Sequence, residues 1–246
     1  MGKSKVPEVT LIFWLIKIIA TTLGETAGDA VTMSMGLGYL WGTAIFGAVF
    51  AVAVVVQIKA KRFHPYLYWT TIIATTTVGT TMADFADRSL GIGYAGGSSL
   101  LLVLLVGSLV VWYRTLGTIS VASVRTAGAE IFYWVTIMFS QTLGTALGDW
   151  TSDSMGLGYL ASAGLFGVLL ALVALAYYQT RVSRALLFWA AFILTRPLGA
   201  VLGDFLDKPI TAGGLAVSRY AATGVLFAFI PLCLFFFPPK AAEDAH

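Results

Sequence analysis

The stretch Ala20-Thr21-Thr22-Leu23-Gly24-Glu25-Thr26-Ala27-Gly28-Asp29 decides the fold of this chain, because it combines an apolar helix, two small residues and carboxylates. Aligned on its first glycine, it recurs with an aspartate five residues later and a tryptophan ten residues earlier. The glycines are Gly24, Gly79, Gly144 and Gly199, the aspartates are Asp29, Asp84, Asp149 and Asp204, and the tryptophans are Trp14, Trp69, Trp134 and Trp189. Agreement at one register across all copies establishes an internal repeat.

The spacing of the repeats divides the chain into two halves. Successive motif glycines are 55, 65 and 55 residues apart. The first three copies continue into a Gly-x-Gly-Tyr sequence, whereas the fourth carries Thr211-Ala212-Gly213-Gly214. We predict a single transmembrane domain over 1–246, with a first half over 1–113, a second half over 129–238, and repeats at about 9–60, 64–115, 129–180 and 184–238.

The composition indicates an all-α integral membrane protein. Of 246 residues, 58% are apolar and only 11% are charged, and the mean hydropathy is +0.86. Each repeat contains two apolar runs close to the roughly 20 residues that a bilayer requires. The sequence therefore predicts eight transmembrane helices as four parallel-repeat helical hairpins, at residues 9–33, 38–58, 66–87, 94–113, 129–151, 157–178, 185–206 and 213–237. Because two spans return the chain to its starting side, the motif helices are expected to run in the same direction.

The cations predict the orientation of the chain. Most lysines and arginines fall on the side of the two termini, whereas Arg88, Lys208 and Arg219 fall on the opposite side. The positive-inside rule therefore places both termini in the cytoplasm, in a bacterial inner membrane. The net charge is only +3 and the cations lie in short connections, so the expected partner is the lipid bilayer and not a nucleic acid. A homo-oligomer is compatible with these features.

The motif predicts close helix packing around shared carboxylates. Small residues four positions apart, such as Gly24 and Gly28, allow transmembrane helices to approach closely. Parallel helices that touch along these stripes bring the neighbouring aspartates together, with Glu25 one turn deeper. Carboxylate oxygens suit hard cations such as Mn²⁺, Mg²⁺ or Ca²⁺. The predicted metal ligands are Glu25, Asp29, Asp84, Asp149 and Asp204.

These carboxylates need compensating charge, because a charged side chain costs about 2.5–3.5 kcal/mol at the centre of a bilayer. The cations inside the predicted spans are Lys17, Arg196 and Arg219, and we expect the first two to balance charge. Five acids against three cations leave two negative charges, which a divalent cation or two protons would neutralise. Further candidate oxygen ligands are the hydroxyls of Thr22, Thr77 and Thr142. The acids expected in the outer mouth are Asp87, Asp153 and Asp207.

A purely structural interpretation is open for the same residues. An aspartate near a helix end can cap the amides of the following Gly-x-Gly-Tyr turn, and repeated hairpins would repeat that cap. A threonine can donate to the carbonyl of the preceding helical turn. The protein would then be a scaffold that binds a partner or a lipid. Glu25 fits this interpretation poorly, because the other copies carry Thr80, Thr145 and Ala200 at its position.

Several enzyme classes lack their usual side chains. The histidines are His64, in a predicted loop, and His246, the last residue, so Ser–His, Cys–His and histidine–zinc sites have no parts inside the spans. The single cysteine, Cys233, excludes an internal disulfide and a thiolate metal site. We expect no enzymatic activity and no cofactor, with a divalent cation or protons bound only as substrate.

The motif Ala-Thr-Thr-x-Gly-Glu-Thr-x-Gly-Asp with its Gly-x-Gly-Tyr sequel resembles a bacterial repeat family of unknown function, whose members are described as uncharacterised membrane-anchored proteins. The resemblance covers residues 8–237. It implies a fold of repeated transmembrane hairpins and implies no activity. The acid-x-x-Gly-Asp pattern is also similar to the Glu-x-Gly-Asp motifs of manganese and calcium exchangers, although the spacing differs by one residue and the following Lys/Arg-Thr/Ser is missing.

The sequence therefore predicts an inner-membrane transporter of a small cation, either an exporter or a proton-coupled exchanger, with a divalent metal such as manganese as the first candidate. Two alternatives belong to other classes. One is the non-transporting scaffold with capping aspartates. The other is a proton- or anion-handling channel, for which the relevant cations are Lys17, Arg196 and Arg219.

Overall fold

The computed structural model describes residues 4–242, so His246 lies outside the described residues. Between residues 4 and 242 the chain forms eight α-helices, connected by π-helical and 3₁₀ turns. They are α1 (Leu11–Asp29), α2 (Gly38–Lys59), α3 (Pro65–Asp84), α4 (Tyr94–Leu116), α5 (Ala127–Asp149), α6 (Gly158–Gln179), α7 (Arg184–Asp207) and α8 (Arg219–Phe236). The predicted all-helical repeat architecture is confirmed at this level.

The motif helices α1, α3, α5 and α7 form a closed inner ring, in which each packs against its two sequence-repeat neighbours. The first motif glycine of each helix always faces the residue three positions before the equivalent glycine of the next. The pairs are Gly24 with Thr76, Gly79 with Gln141, Gly144 with Arg196, and Gly199 with Thr21. A contact repeated at one register requires helices that run in the same direction, as the repeat predicts.

The remaining helices α2, α4, α6 and α8 surround this ring. Each packs mainly against the inner helix of the next repeat: α2 on α3, α4 on α5, α6 on α7, and α8 on α1. In α2, for example, Gly42 faces Thr81 of α3 as well as Thr32 of its own repeat. The final pair closes the circle and joins the last repeat to the first.

This arrangement corrects two details predicted from the sequence. The two helices of one repeat are joined by a short connection, but they do not pack against each other as a hairpin. The inner helix packs against the inner helices on either side of it, and the outer helix packs against the inner helix of the next repeat. The last helix begins at Arg219 and not at residue 213. Before it, the chain forms a 3₁₀ turn at Ile210–Ala212, and Gly213 and Ala216 have positive φ, which no helix can incorporate.

The outer helices present a continuous apolar surface. Six helices are long and apolar enough to cross a membrane, namely α1, α2, α4, α6, α7 and α8. Each outer helix leaves large apolar side chains exposed, for example Val52 (64%), Val103 (68%), Val168 (60%) and Val225 (69%). An apolar surface of this extent is typical of a membrane protein.

The helices α3 and α5 are less apolar than these six, because they carry more polar side chains. Seven of the 20 residues of α3 are threonine, and α5 carries Ser140, Gln141, Thr142 and Thr145. All these α5 side chains are buried against other helices. Six of the seven α3 threonines are buried as well, and Thr70 is exposed, so nearly all of these polar residues lie between helices and do not face lipid.

The motif tryptophans line the end of the ring opposite the aspartates. Tryptophans of membrane proteins commonly collect at the membrane interface, but Trp69, Trp134 and Trp189 are buried inside the protein (1–2% exposed). Each packs against a ring of the preceding inner helix: Trp69 against Phe13, Trp134 against Tyr68, and Trp189 against Tyr133. At the centre of this layer the hydroxyls of Tyr68 and Tyr133 share a 2.6 Å hydrogen bond. The buried rings of α3, α5 and α7 thus form an aromatic plug, whereas Trp14 is half-buried at its edge and contacts Phe188.

The close contacts of the ring make a prediction about its glycines. A Cβ atom at Gly79 would lie 3.0 Å from the backbone carbon of Gln141, whereas a Cβ at Gly107 of α4 would meet nothing within 4 Å. Gly79→Ala should therefore lower the apparent melting temperature in detergent, since overpacking costs about 1–3 kcal/mol. Gly107→Ala should leave it unchanged or raise it, because alanine is the better helix former. Equal effects of the two substitutions would contradict the ring.

Candidate functional site

The four motif aspartates form a layer at one end of the inner ring. Asp29, Asp84 and Asp149 are the last residues of their α-helices, and Asp204 lies in the last turn of α7. All four are buried, at 1–3% exposure. The side chains of Asp29, Asp84 and Asp149 cap no following turn. The capping interpretation is therefore not supported for these three aspartates.

Two cations connect these aspartates in pairs. Arg88 Nε lies 3.1 Å from Asp84 Oδ1, and its Nη2 lies 3.2 Å from Asp149 Oδ2. Lys208 Nζ lies 2.6 Å from Asp29 Oδ2 and 2.9 Å from Asp204 Oδ1. Each cation thus joins two adjacent inner helices, and together they close this end of the ring.

One turn deeper, Glu25 is paired with Arg196. The distance from Arg196 Nη2 to Glu25 Oε2 is 3.0 Å, and the side chains are 0% and 3% exposed. The same nitrogen donates to the hydroxyls of Thr80 (2.6 Å) and Thr145 (2.5 Å). Helices from all four repeats therefore meet at one guanidinium. Its Nε and Nη1 atoms are buried and make no hydrogen bond to the described residues.

The two layers share oxygens within reach of one cation. Glu25, Asp149 and Asp204 each offer a carboxylate oxygen, and the three oxygens lie within 4.8 Å of one another. We call this group the inner triad. All three residues were predicted as metal ligands from the sequence. Asp29 belongs to a second group of this kind with Asp204 and Asp207, whereas Asp84 belongs to neither and is paired with Arg88.

The repeats match a known family. Residues 12–63, 67–118, 132–183 and 187–237 each match the family described as Repeat of Unknown Function (DUF347). The chain belongs to this family. No curated protein and no solved structure gives a significant match. Each DUF347 match contains one inner helix, its glycine–aspartate motif and the following outer helix, so the inner ring contains one motif helix from each DUF347 repeat.

The second and fourth DUF347 repeats carry the cations that the sequence analysis did not assign to the site. In both repeats the motif aspartate begins the sequence Asp-Phe-x-Asp, and a cation follows directly. These segments run from Asp84 to Arg88 and from Asp204 to Lys208. This shared pattern could have identified the pairing cations, because residues four apart face each other on a helix. From the sequence, Arg88 and Lys208 were assigned only to the side of the membrane opposite the termini.

The cations that were predicted occupy different positions. Arg219 Nε lies 2.9 Å from Asp207 Oδ2 and 3.7 Å from Asp29 Oδ2, so it balances charge at the end of the ring. Lys17 is fully buried below Arg196, where its Nζ contacts the Thr195 hydroxyl at 3.5 Å and the Phe192 ring at 4.1 Å. Neither contact supplies a negative charge.

The predicted threonine ligands make local hydrogen bonds. Thr22, Thr77 and Thr142 each donate to the carbonyl four residues earlier, at 3.0, 2.8 and 3.0 Å. These bonds use the hydroxyl hydrogen and leave oxygen lone pairs available. Their role as ligands stays a prediction.

The acids expected in the outer mouth separate into three environments. Asp153 is exposed. The carboxylate of Asp87 packs against Gly97 of α4 and makes no hydrogen bond to the described residues. Asp207 turns inward and contacts Arg219, with its side chain only 1% exposed.

Lys208 follows the last residue of α7 and stays charged in this setting. Burial alone lowers the pKa of Lys208, but the carboxylates of Asp204, Asp29 and Asp207 have the larger combined effect and raise the pKa above its ordinary value. The ammonium group of Lys208 therefore keeps its positive charge among these carboxylates at physiological pH.

The Glu25–Arg196 pair predicts an asymmetric response to mutation. Arg196→Met leaves Glu25 buried without its partner, so we expect a loss of about 3–5 kcal/mol in stability and a clearly lower melting temperature in detergent. The double variant Glu25→Gln/Arg196→Met removes the stranded charge and should recover part of this loss. Arg181→Met, at an exposed arginine, serves as the comparison and should cost much less. Additive effects of Glu25→Gln and Arg196→Met would show that the two side chains do not interact.

Proposed function

We propose that this DUF347 protein is a membrane transporter of a small hard cation, with Mn²⁺ as the first candidate, acting as an exporter or a proton-coupled exchanger. The proposal includes eight membrane spans in a bacterial inner membrane, both termini in the cytoplasm, no enzymatic activity and no cofactor. Its principal support is the inner triad, because three buried carboxylates from three different repeats bring one oxygen each within 4.8 Å of the others.

The ligand chemistry favours a hard cation. Glu25, Asp149 and Asp204 supply only oxygen atoms, and Thr80 adds a hydroxyl oxygen 3.3 Å from Glu25 Oε2. Oxygen sites of this kind suit Mn²⁺, Mg²⁺ or Ca²⁺, whereas Zn²⁺ and Cu²⁺ prefer nitrogen and sulfur ligands. Intramembrane carboxylates that face a bundle interior commonly mark ion pathways.

The charge inside the ring also supports a cationic substrate. Seven buried acids lie at the level of Glu25 or at the aspartate end of the ring, namely Glu25, Asp29, Asp84, Asp87, Asp149, Asp204 and Asp207. Glu130, at the opposite end of α5, is also buried but is paired with Lys5 at 2.6 Å, so it does not change the charge balance. Five cations accompany them, namely Lys17, Arg88, Arg196, Lys208 and Arg219. The formal excess is two negative charges, which one divalent ion or two protons would neutralise.

Transport would require movement at both ends of the ring. The aromatic plug closes the tryptophan end, where the Tyr68 and Tyr133 hydroxyls meet. At the aspartate end, Arg88 and Lys208 cover the triad and retain side-chain exposures of 29% and 15%. Long side chains with such exposure can rotate outward without unfolding a helix, so the aspartate end is the easier one to open.

A proton- or anion-handling channel is a second candidate. It is favoured by Lys17, which is buried without a carboxylate partner, and by the two Arg196 nitrogens without hydrogen bonds. The capping scaffold is disfavoured, because the aspartates at the ends of α1, α3 and α5 do not cap the turns that follow them.

A flux assay tests the transport proposal. The full chain in proteoliposomes should carry Mn²⁺ down a gradient, and Asp149→Asn/Asp204→Asn should reduce the initial rate at least tenfold, because two of the three triad carboxylates lose their charge. Asp153→Asn is the matched control, since it removes an exposed aspartate that follows the same motif. It should retain the wild-type rate.

The result that would overturn the proposal is wild-type flux in the triad variant, measured with equal protein incorporation. Chloride flux without Mn²⁺ flux in the wild type would favour the second candidate. Proton flux alone, lost in Lys17→Met, would do the same.

A further inference from the structure

Beside the inner triad lies a second carboxylate group, formed by Asp29, Asp204 and Asp207. One oxygen of each lies within 4.8 Å of the others. We call it the outer triad. It shares Asp204 with the inner triad, so the two groups are consecutive positions along the same end of the ring.

The centre of the outer triad already holds a positive charge. Lys208 Nζ lies 2.6 Å from Asp29, 2.9 Å from Asp204 and 4.0 Å from Asp207. An ammonium is a compact point charge that makes contacts in several directions, much like a small cation. Lys208 is tethered to α7 through its backbone and is 15% exposed, so solvent reaches the group from outside.

One oxygen of the outer triad is left without a hydrogen bond. Asp207 is 1% exposed in its side chain, and its Oδ2 is bonded to Arg219 at 2.9 Å. Its Oδ1 is buried, has no hydrogen-bond partner among the described residues and is directed toward Lys208 at 4.0 Å. A buried carboxylate oxygen without a hydrogen bond, with an ammonium only at 4.0 Å, is incompletely compensated, and a cation at ligand distance would complete the compensation.

The second repeat offers an internal comparison. Its Arg88 occupies the position of Lys208 and also joins two motif aspartates. However, the residue equivalent to Asp207, which is Asp87, lies against Gly97 of α4 and does not join the pair. The physical reason is the π-helical turn at Phe85–Ser89, whose wider winding rotates the third position away, whereas α7 stays α-helical to Asp207.

We propose that the outer triad is a second binding site for the transported cation, and that the Lys208 ammonium is a built-in competitor that must leave before a metal ion enters. This inference rests on the proposed function. With Lys208 and Arg219 in place the outer triad carries one net negative charge, and without Lys208 it carries two, which suits a divalent ion. Lys208 would thereby set how strongly the protein takes up cations at this end.

Equilibrium dialysis with Mn²⁺ tests this assignment on the purified full chain in detergent. The wild type should bind one Mn²⁺ per chain, at the inner triad, and Lys208→Gln should bind two. Lys208→Gln/Asp207→Asn should return to one, because only the outer triad contains Asp207. Lys208→Arg keeps the positive charge and should stay at one.

Arg88→Gln is the matched control. It removes the same charge from the equivalent position and frees Asp149, just as Lys208→Gln frees Asp204, but it leaves only two carboxylates. It should therefore stay at one Mn²⁺. A gain in Arg88→Gln equal to that in Lys208→Gln would overturn the proposal, since the effect would then be general charge removal.

Failure of the outer site and failure of the proposed function give different results. If the wild type binds no Mn²⁺, the inner triad is not a metal site. The outer site then still predicts that Lys208→Gln binds one Mn²⁺ per chain, and that adding Asp207→Asn to this variant abolishes the binding. If the wild type binds one and Lys208→Gln also binds one, the outer site is refuted and the inner triad stands. Should glutamine impair folding, Lys208→Met keeps the aliphatic stem and must show the same rise.

Discussion

Pairing of buried charge is the constraint on which the rest of this structure depends. An ionised carboxylate removed from water must meet a cation, hydrogen-bond donors or a proton, because the low dielectric of the interior does not screen it. The inner ring satisfies this requirement in two layers, with Arg196 at Glu25 and with Arg88 and Lys208 among the aspartates. Each cation contacts acids from a different repeat, so the same interactions that neutralise charge also fix the four repeats relative to one another.

The glycines make these interactions possible. Inner helices approach so closely at Gly24, Gly79, Gly144 and Gly199 that side chains of the next helix occupy the space of a missing Cβ. The carboxylates one turn further are then held a few ångströms apart. The outer helices complete the arrangement by covering the next groove and presenting apolar side chains outward. Close packing, polar interior and lipid-compatible surface thus follow from one repeated motif.

The differences among the repeats decide where the buried charges lie. Four identical copies would produce a symmetric ring of acids, whereas this chain places Glu25 in one repeat, Arg196 in another and pairing cations in the second and fourth. The change from a π-helical to an α-helical turn directs Asp207 inward where its counterpart Asp87 turns away. The result is two overlapping carboxylate groups on one side of the ring, at Asp204.

The sequence by itself determined the repeat, the helical class, the common direction of the motif helices and the gathering of Glu25 with the aspartates, because periodic small residues and their spacing are local properties of the chain. It did not determine that α2 covers α3 rather than α1, that three motif tryptophans are buried at one end, or that Lys208 and Arg88 join aspartates of different helices. Those features depend on which helices become neighbours. Only the closed ring brings Lys208 within 2.6 Å of Asp29, a residue 179 positions away, and no local pattern encodes such a contact.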